Sequence, residues 1–348
     1  MPVTIYDVAK QAGVSKSTVS LVLNESPMVK LKTRQKVLET IQKMGYEPNQ
    51  SARTLMTKRT NILGVLIIVE QLSSFTYNFD QGSDIFSYDI IAGMPQSLLG
   101  TGYGIAIERF CISAQKGEIP NMLKGGRVDG ILVLGALFDK DFANLLKASG
   151  LPVVTVHRDY NLFDSVVPDI EQGVYDAASY LFQTGHKRFC YINCPRIFST
   201  NKNRRIGFLK ALDENTKQLK ESWIVDAEHN TGKGGYDAIK EILESGKKPD
   251  AILAANDTIA LGIIRYLYDK NIKIPKDVSI VGYENSVLSG YASPALSTID
   301  IDKERMGKEA SEIVLKRLDD PDMPRVCVTI PAKLILRDTV KERKRTES

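Results

Sequence analysis

The 348-residue chain is poor in the residues that build metal centres and disulfide frameworks: it has three histidines and four cysteines. His157, His186 and His229 are widely spaced, and Cys111, Cys190, Cys194 and Cys327 form no Cys-x-x-Cys pair. Neither a zinc constellation nor a disulfide scaffold is expected, and the thiols read as buried and free. No apolar run approaches about 18 residues, and no basic-then-apolar leader opens the chain, so a cytoplasmic protein without a membrane span is expected. The first long apolar run, Ile62–Val69, is not followed by a Gly-x-Gly-x-x-Gly turn. No Gly-x-x-x-x-Gly-Lys occurs, and Gly232-Lys-Gly-Gly235 reads as a turn before a helix. With no nucleophile–histidine set either, the signatures of an enzyme on a doubly wound fold are missing, and neither catalysis nor a cofactor is expected.

What the chain does have is a lopsided charge. The formal net charge is +4, yet residues 1–60 hold ten Lys/Arg against four Asp/Glu. The remainder is slightly acidic. A basic head on such a body is the footprint of a nucleic-acid binder.

The head reads as helix, glycine turn, helix. Thr4 followed by Asp7 resembles a capping box. Ile5, Val8, Ala9 and Ala12 line one side of a first helix, and Gly13 supplies the backbone freedom that ends it. Ser15 is placed to cap a second helix, Lys16–Leu23, with Val19, Val22 and Leu23 as its apolar face. A third helix from about Lys32 to Met44, with Val37, Leu38 and Ile41 inward, would close a small core before Gly45. Tyr46-Glu-Pro48 breaks the pattern. Asn49 then caps one more short helix, Gln50–Met56, too short to persist alone in water. This layout is that of a helix-turn-helix reader, whose second helix enters the major groove.

From Ile62 the texture changes to alternating strands and helices. Strands are expected at Ile62–Val69, Tyr103–Glu108, Val128–Leu134, Val153–His157, Phe189–Asn193, Trp223–Asp226, Ala251–Ala255 and Val278–Gly282. Helices are expected at Phe86–Leu99, Phe138–Ala148, Gly173–Gln183, Arg204–Asp213, Gly234–Leu243, Thr258–Asp269 and Lys303–Leu318. This is βα alternation with too many strands for one sheet, so two α/β lobes around a cleft are expected. Leu72–Ser87 reads as a loop at the cleft mouth, and Lys341–Ser348 as a frayed tail.

The order of these features resembles the LacI/GalR (lactose-repressor) family of bacterial transcription regulators. In the head the resemblance rests on Asp7-Val-Ala-Lys-x-Ala-Gly-Val-Ser15, Thr18-Val-Ser20, Val22-Leu-Asn24, Thr33-Arg34, Gly45-Tyr46, Pro48-Asn49 and Ala52-Arg53-x-Leu55. In the body it rests on Arg127-Val-Asp-Gly130, Gly185-His186, Arg204-x-x-Gly-Phe208, Asn256-Asp257-x-x-Ala-x-Gly262 and Val281-Gly-Tyr283.

The resemblance implies a multidomain α and α/β protein. A three-helix helix-turn-helix head would span residues 1–48, and a hinge helix with its linker 49–61. A two-lobed, type I periplasmic-binding-protein-like body would span 62–340. Its N-lobe would hold about 62–160 and 291–322, and its C-lobe about 161–290 and 323–340. The resemblance also implies a sequence-specific repressor that binds double-stranded operator DNA as a homodimer. An effector in the cleft, a sugar or sugar phosphate, would control it. A nucleobase-responsive or corepressor-activated regulator and, remotely, a solute-binding transport protein are the alternatives.

Carried over by position, Lys16, Ser17 and Leu21 stand where base edges are read. Tyr6, Thr18, Ser20 and Asn24 stand near phosphate contacts, where hydroxyl and amide donors set register. Thr4, Ser15, Tyr46, Asn49 and Arg53 complete the DNA-facing set. Leu21 replaces a frequent arginine, and either contacts a thymine methyl or packs within the head. In the hinge helix Ala52 permits close approach, while Leu55 is the wedge that kinks the duplex at a base step. The effector set is Phe86, Arg158, Asp169, Arg204, Asn256, Asp257 and Glu284. Phe86 stacks on a ligand or packs in the core, and Asp257 meets ligand or only caps its helix. Glu284 stands in place of a frequent aspartate.

Overall fold

The computed structural model describes residues 3–23, 26–46, 59–69, 83–113, 115, 117–135, 137–196 and 199–343. The chain divides into two compact units, residues 1–60 and 61–348.

In the first unit α1 (Ile5–Ala12), α2 (Lys16–Leu23) and α3 (Leu31–Met44) close a small core. It consists of Val8, Ala9, Ala12, Val19, Val22, Val37 and Tyr46. Gly13 and Gly45 end α1 and α3 in the left-handed conformation, at φ 65° and 61°. This is the conformation that favours glycine at a helix end. The inner stripe expected on α3 is corrected at one position. Val37 is buried and Ile41 packs against the core, but Leu38 is 48% exposed. Residues 37 and 38 lie about 100° apart around a helix, and this core is too small to cover both. The hinge helix expected at Gln50–Met56 lies outside the described residues.

The second unit holds two six-stranded sheets. The first is built on β1 (Ile62–Ile68), β2 (Gly104–Phe110), β3 (Gly130–Gly135), β4 (Val153–Val156) and β5 (Asp164–Pro168). The second is built on β6 (Arg188–Asn193), β7 (Glu221–Asp226), β8 (Ala251–Ala254), β9 (Ser279–Tyr283) and β10 (Ser297–Asp300). Each is completed by a late strand, β11 (Cys327–Ile330) in the first and β12 (Lys333–Ile335) in the second. The spatial orders are β11-β5-β4-β3-β1-β2 and β12-β10-β9-β8-β6-β7. All neighbours are parallel except β10 and β12. The two sheets therefore repeat one winding, and in each the order reverses beside its first strand, where doubly wound folds place ligands.

The helices are α4 (Ser83–Leu98), α5 (Lys140–Ala148), α6 (Ile170–Gln183), α7 (Ser199–Glu214), α8 (Gly232–Glu244), α9 (Asp257–Asp269), α10 (Val287–Tyr291) and α11 (Lys303–Asp319). The α4 and α11 backbones touch at a pair of glycines. A Cβ on Gly93 would strike the Glu304 carbonyl, and one on Gly307 the Ile90 carbonyl. This close approach brings the start of α11 beside Asp89 of α4.

Several expectations are corrected. The chain crosses between lobes near residues 169, 301 and 331, not at 160/161, 290/291 and 322/323. β5 and β11 pair in the first sheet and β10 in the second. β5 escapes the sequence pattern because it follows β4 through the short loop 157–163 with no helix between, which breaks the alternation that marks strands. β10, β11 and β12 are only three or four residues long. α4 begins at Ser83, inside the expected loop; positions 72–82 of that loop lie outside the described residues. Cys327 is exposed, while the other three thiols are buried. The tail is held through Arg343, whose backbone N–H donates to the Thr184 carbonyl (2.7 Å) and whose guanidinium donates to the Asp277 carbonyl (2.6 Å). Positions 344–348 lie outside the described residues.

Candidate functional sites: an exposed helix face and a buried cleft

The first candidate site is the outer face of α2. Ser15 Oγ accepts from the Thr18 backbone N–H (3.1 Å) and shares hydrogen bonds with the Ser17 and Thr18 hydroxyls, both at 2.9 Å. Lys16 Nζ stands 4.8 Å from the centroid of the Tyr6 ring and donates to its hydroxyl at 3.3 Å. Tyr6, Ser15, Lys16, Ser17 and Leu21 are exposed, and Thr18 and Ser20 half-buried. Leu21 is 38% exposed, so its side chain is not spent on packing within the head. Thr4 closes the capping box: its backbone N–H and hydroxyl both donate to the Asp7 carboxylate, at 2.9 and 2.6 Å. These bonds hold Asp7 below the ordinary carboxylate range.

Tyr46 belongs to the core rather than this face; it is 9% exposed and packs with the apolar cluster. Its expected DNA contact does not fit that burial. Asn24, Asn49, Ala52, Arg53 and Leu55 lie outside the described residues.

The second candidate site gathers at the C-terminal ends of both sheets, around Arg204. This side chain is 3% exposed. Its Nη1 donates to Thr200 Oγ1 (2.6 Å) and lies 3.6 Å from Cys194 Sγ, and its guanidinium sits over the Tyr283 ring, 4.8 Å from the centroid. Burial works against its charge, but Cys194, Tyr191, Tyr283 and Glu284 together hold its pKa above the ordinary value. Tyr191 and Tyr283 are buried, and burial pushes both phenols above their usual range. Both hydroxyls therefore stay protonated. From the first sheet His157, at φ 75°, follows β4 and meets the Phe86 ring edge-on, with centroids 4.8 Å apart. Burial, then the charges of Arg158 and Arg204, hold the imidazole well below its usual pKa, so it is neutral. The Tyr191 and Tyr283 hydroxyls, Arg204 Nε and His157 Nε2 are all shut off from solvent without a hydrogen-bond partner.

Carboxyl groups line the other end. Glu284 follows β9 at φ 101°, a strained conformation for a residue with a side chain. Burial pushes its carboxyl up to about 7, against the pull of Lys303 and Arg204. Lys303 is 7% exposed and pairs with Asp89 (2.5 Å), with its Nζ 5.9 Å from the Phe86 ring centroid. Asp257 is buried and raised to about 6 by desolvation. It accepts from Thr298 Oγ1 (2.5 Å) and the Ser286 N–H (2.6 Å). Gly282 leaves the space for this, since a Cβ there would strike Asp257 Oδ1.

The structure thus brings together Phe86, Arg158, Arg204 and Glu284 of the expected set. Asp257 is neither the cap nor open to a ligand through both oxygens. The cap is Asn256, which accepts from the Ile259 N–H (2.8 Å) and donates to Asn230 Oδ1 (2.7 Å). Asp169 is half-buried, caps α6 through the Gln172 N–H (3.2 Å), and lies near enough to Tyr283 to act on it electrostatically. Sequence reasoning missed His157, Tyr191, Tyr283, Asp89 and Lys303. The available signal was tyrosine inside otherwise apolar strands, whose hydroxyls need partners when buried.

Two family profiles match the chain: "Bacterial regulatory proteins, lacI family" over residues 4–49 and "Periplasmic binding protein-like domain" over residues 178–340. Among curated proteins the chain is 32% identical over 345 residues to catabolite control protein A of Priestia megaterium, covering 98% of this chain and 100% of that protein. It is 32% identical over 343 residues to the HTH-type transcriptional repressor PurR of Vibrio cholerae, covering 97% and 98%. Among solved structures it resembles the lac repressor dimer bound to operator and the anti-inducer ONPF, with a TM-score of 0.79 and 26% identity over 97% of this chain and 99% of that one. A CelR–cellobiose complex matches with a TM-score of 0.69 and 25% identity, over 97% and 100%. With a reader head and a two-sheet body matched end to end, the chain belongs to the lacI family of bacterial DNA-binding transcriptional regulators.

Proposed function

We propose that this regulator is a repressor that binds a pseudo-palindromic operator as a homodimer and is switched by a sugar or sugar phosphate held between the two sheets. The observation that carries the reading is the ring of buried, unpartnered polar atoms around Arg204, in the same chain as an exposed Lys16–Ser17–Leu21 helix face. Buried polar groups are normally hydrogen-bonded, so four orphans in one place mark a site that a polar ligand completes. In the head, Lys16, Ser17 and Leu21 read base edges, and Tyr6, Thr18 and Ser20 fix register on phosphates. Asn24, Asn49, Ala52, Arg53 and Leu55 extend that contact, with Leu55 as a minor-groove wedge. Ligand binding changes the angle between lobes and with it the helix–coil balance of positions 49–56, and coupling of ligand and operator is equal in both directions. A second copy fits a body surface that exposes Tyr268, Val287 and Tyr291, at 73%, 63% and 85%. A planar nucleobase is the second reading, supported by the Phe86–His157 ring pair.

The test is a thermal-shift screen of sugars, sugar phosphates and nucleobases, followed by operator binding by fluorescence anisotropy with each hit. A ligand that stabilises the protein and changes operator affinity at least fivefold supports the reading; ligands that all bind without moving operator affinity refute it.

A further inference from the structure

Among the described residues two basic side chains are buried, Lys303 and Arg204. They are treated differently. Lys303 pairs with Asp89 at 2.5 Å. Arg204 touches only the neutral Thr200 hydroxyl, the Cys194 sulfur and the Tyr283 ring. Among the described residues no carboxylate comes within ion-pair distance of it, and Glu284 acts on it only through space. Arg317, less deeply buried, again shows the usual solution, a two-nitrogen grip on Asp164 at 2.8–3.0 Å. A buried charge is normally paired, because removing it from water is costly and its counter-charge offsets that loss. At Arg204 the counter-charge is missing.

The groups around it are donors. Arg204 Nε, the Tyr191 and Tyr283 hydroxyls and the neutral His157 imidazole converge there with hydrogen-bonding capacity unused. Arg158 adds a second positive charge, close enough to act on both His157 and Arg204. The far end is the reverse: Glu284 presents a carboxyl that accepts from hydroxyls, beside the Asp89–Lys303 pair. The site is polarised, with anion-binding chemistry at one end and hydroxyl-binding chemistry at the other.

We infer that the cleft takes a small polyhydroxy anion, a sugar acid or sugar phosphate, with its anionic group against Arg204, Tyr191 and His157 and its hydroxyls toward Glu284. This rests on the effector reading above and narrows it, because a neutral sugar leaves the Arg204 charge uncompensated. A guanidinium suits either anion, since its fork matches carboxylate and phosphate oxygens alike.

The test uses the full chain and two matched probe sets: ribose, ribonate and ribose 5-phosphate; glucose, gluconate and glucose 6-phosphate. Binding is measured by calorimetry at about 50 and 200 mM salt, a range over which charge attraction is increasingly screened. In at least one set an anionic member should bind at least tenfold tighter than its neutral parent, and lose part of that margin at the higher salt. Whether ribonate or gluconate leads, or a phosphate ester, separates the two kinds of anion. Arg204→Gln should bring the anionic member within threefold of the neutral one. Tyr191→Phe, a smaller change should Arg204→Gln fold poorly, should weaken the anionic member about tenfold and the neutral one less. A neutral member that binds as tightly as both its anionic partners overturns the inference, as does failure of all six at millimolar concentration or an unchanged preference in Arg204→Gln. Parallel operator anisotropy separates the two claims. A neutral sugar that shifts operator affinity sinks the anion and leaves the effector reading standing. An anion that binds tightly without moving operator affinity does the opposite.

Discussion

The reader head and the effector cleft solve opposite problems. The head builds its site on the outside of one short helix. Its polar groups bond to neighbours within ten positions in sequence, as with Ser15 to Thr18 and Lys16 to Tyr6. Only seven buried residues support it. The cleft is assembled from α4, α7 and the ends of β4, β6 and β9, and it leaves buried polar atoms unpartnered. A DNA surface meets exposed donors and needs little depth, whereas a small ligand must be enclosed before a few hydrogen bonds can hold it. Damage should therefore spread differently: a core change in the head removes the whole reader, while changes in the cleft can be graded.

The sharpest way to break the comparison is Val19→Asp. Val19 is fully buried on the inner side of α2. An unpaired carboxylate there outweighs what so small a core contributes, so the head should unfold. Operator binding should fall more than about a thousandfold, while the ligand-dependent thermal shift of the body stays. Loss of both would mean that the two units do not fold independently.

Next in size is Asp257→Ala. It strips two acceptors from Thr298 and Ser286, one of them bonded at 2.5 Å inside the body. Buried donors left unmatched should cost about 3 kcal/mol, read as a lower denaturation midpoint of the body. Asp257→Asn keeps one acceptor and should lose less. Equal stability of Asp257→Ala and the parent would show that the carboxylate is not a structural tie.

These contrasts explain what could be read from the chain. The head was legible because its signals are local: a cap at Thr4, glycines at 13 and 45, and apolar spacing of 3 and 4 between them. The parallel sheets were legible for the same reason, as runs such as Ile62–Ile68. Tyr46 and Leu38 were misplaced because one is buried and the other exposed by how three helices pack, which periodicity does not carry. The cleft was half legible. Arg204 and Glu284 sit in recognisable motifs, but Lys303 reaches Asp89 across 214 positions, through a helix crossing that only two glycines permit. No window of sequence contains that pair.

Glu284→Gln probes the cleft without emptying it. The Glu284 carboxyl, ordinarily near 4.5, is raised to about 7 in the folded chain. Between those values the folded state holds a proton that the unfolded state has lost. Stability from this group is therefore greatest at low pH and is lost as pH rises through 7. A neutral amide at this position carries no such penalty. The variant should be more stable than the parent by about 2 kcal/mol at pH 8, with the gap closing toward pH 5. His157 titrates in the opposite sense but is common to both proteins, so it drops out of the difference. A gap independent of pH would mean that Glu284 is ionised throughout.

The smallest expected effects belong to the exposed face and separate its two kinds of contact. Lys16→Ala removes a charge held over Tyr6, and Leu21→Ala removes an exposed apolar tip. Each should weaken operator binding by about 1 kcal/mol, roughly fivefold, because each loses one contact from a fold that stays intact. They should differ in salt dependence. Losing Lys16 lowers the steepness of log affinity against log salt where that lysine neutralises a phosphate, whereas Leu21 carries no charge and leaves the steepness alone. Leu21→Ala should in turn act unevenly across operator variants, with the largest loss where a thymine methyl faces position 21. If Leu21→Ala weakens all operators equally and also lowers the melting temperature of the head, Leu21 packs rather than reads.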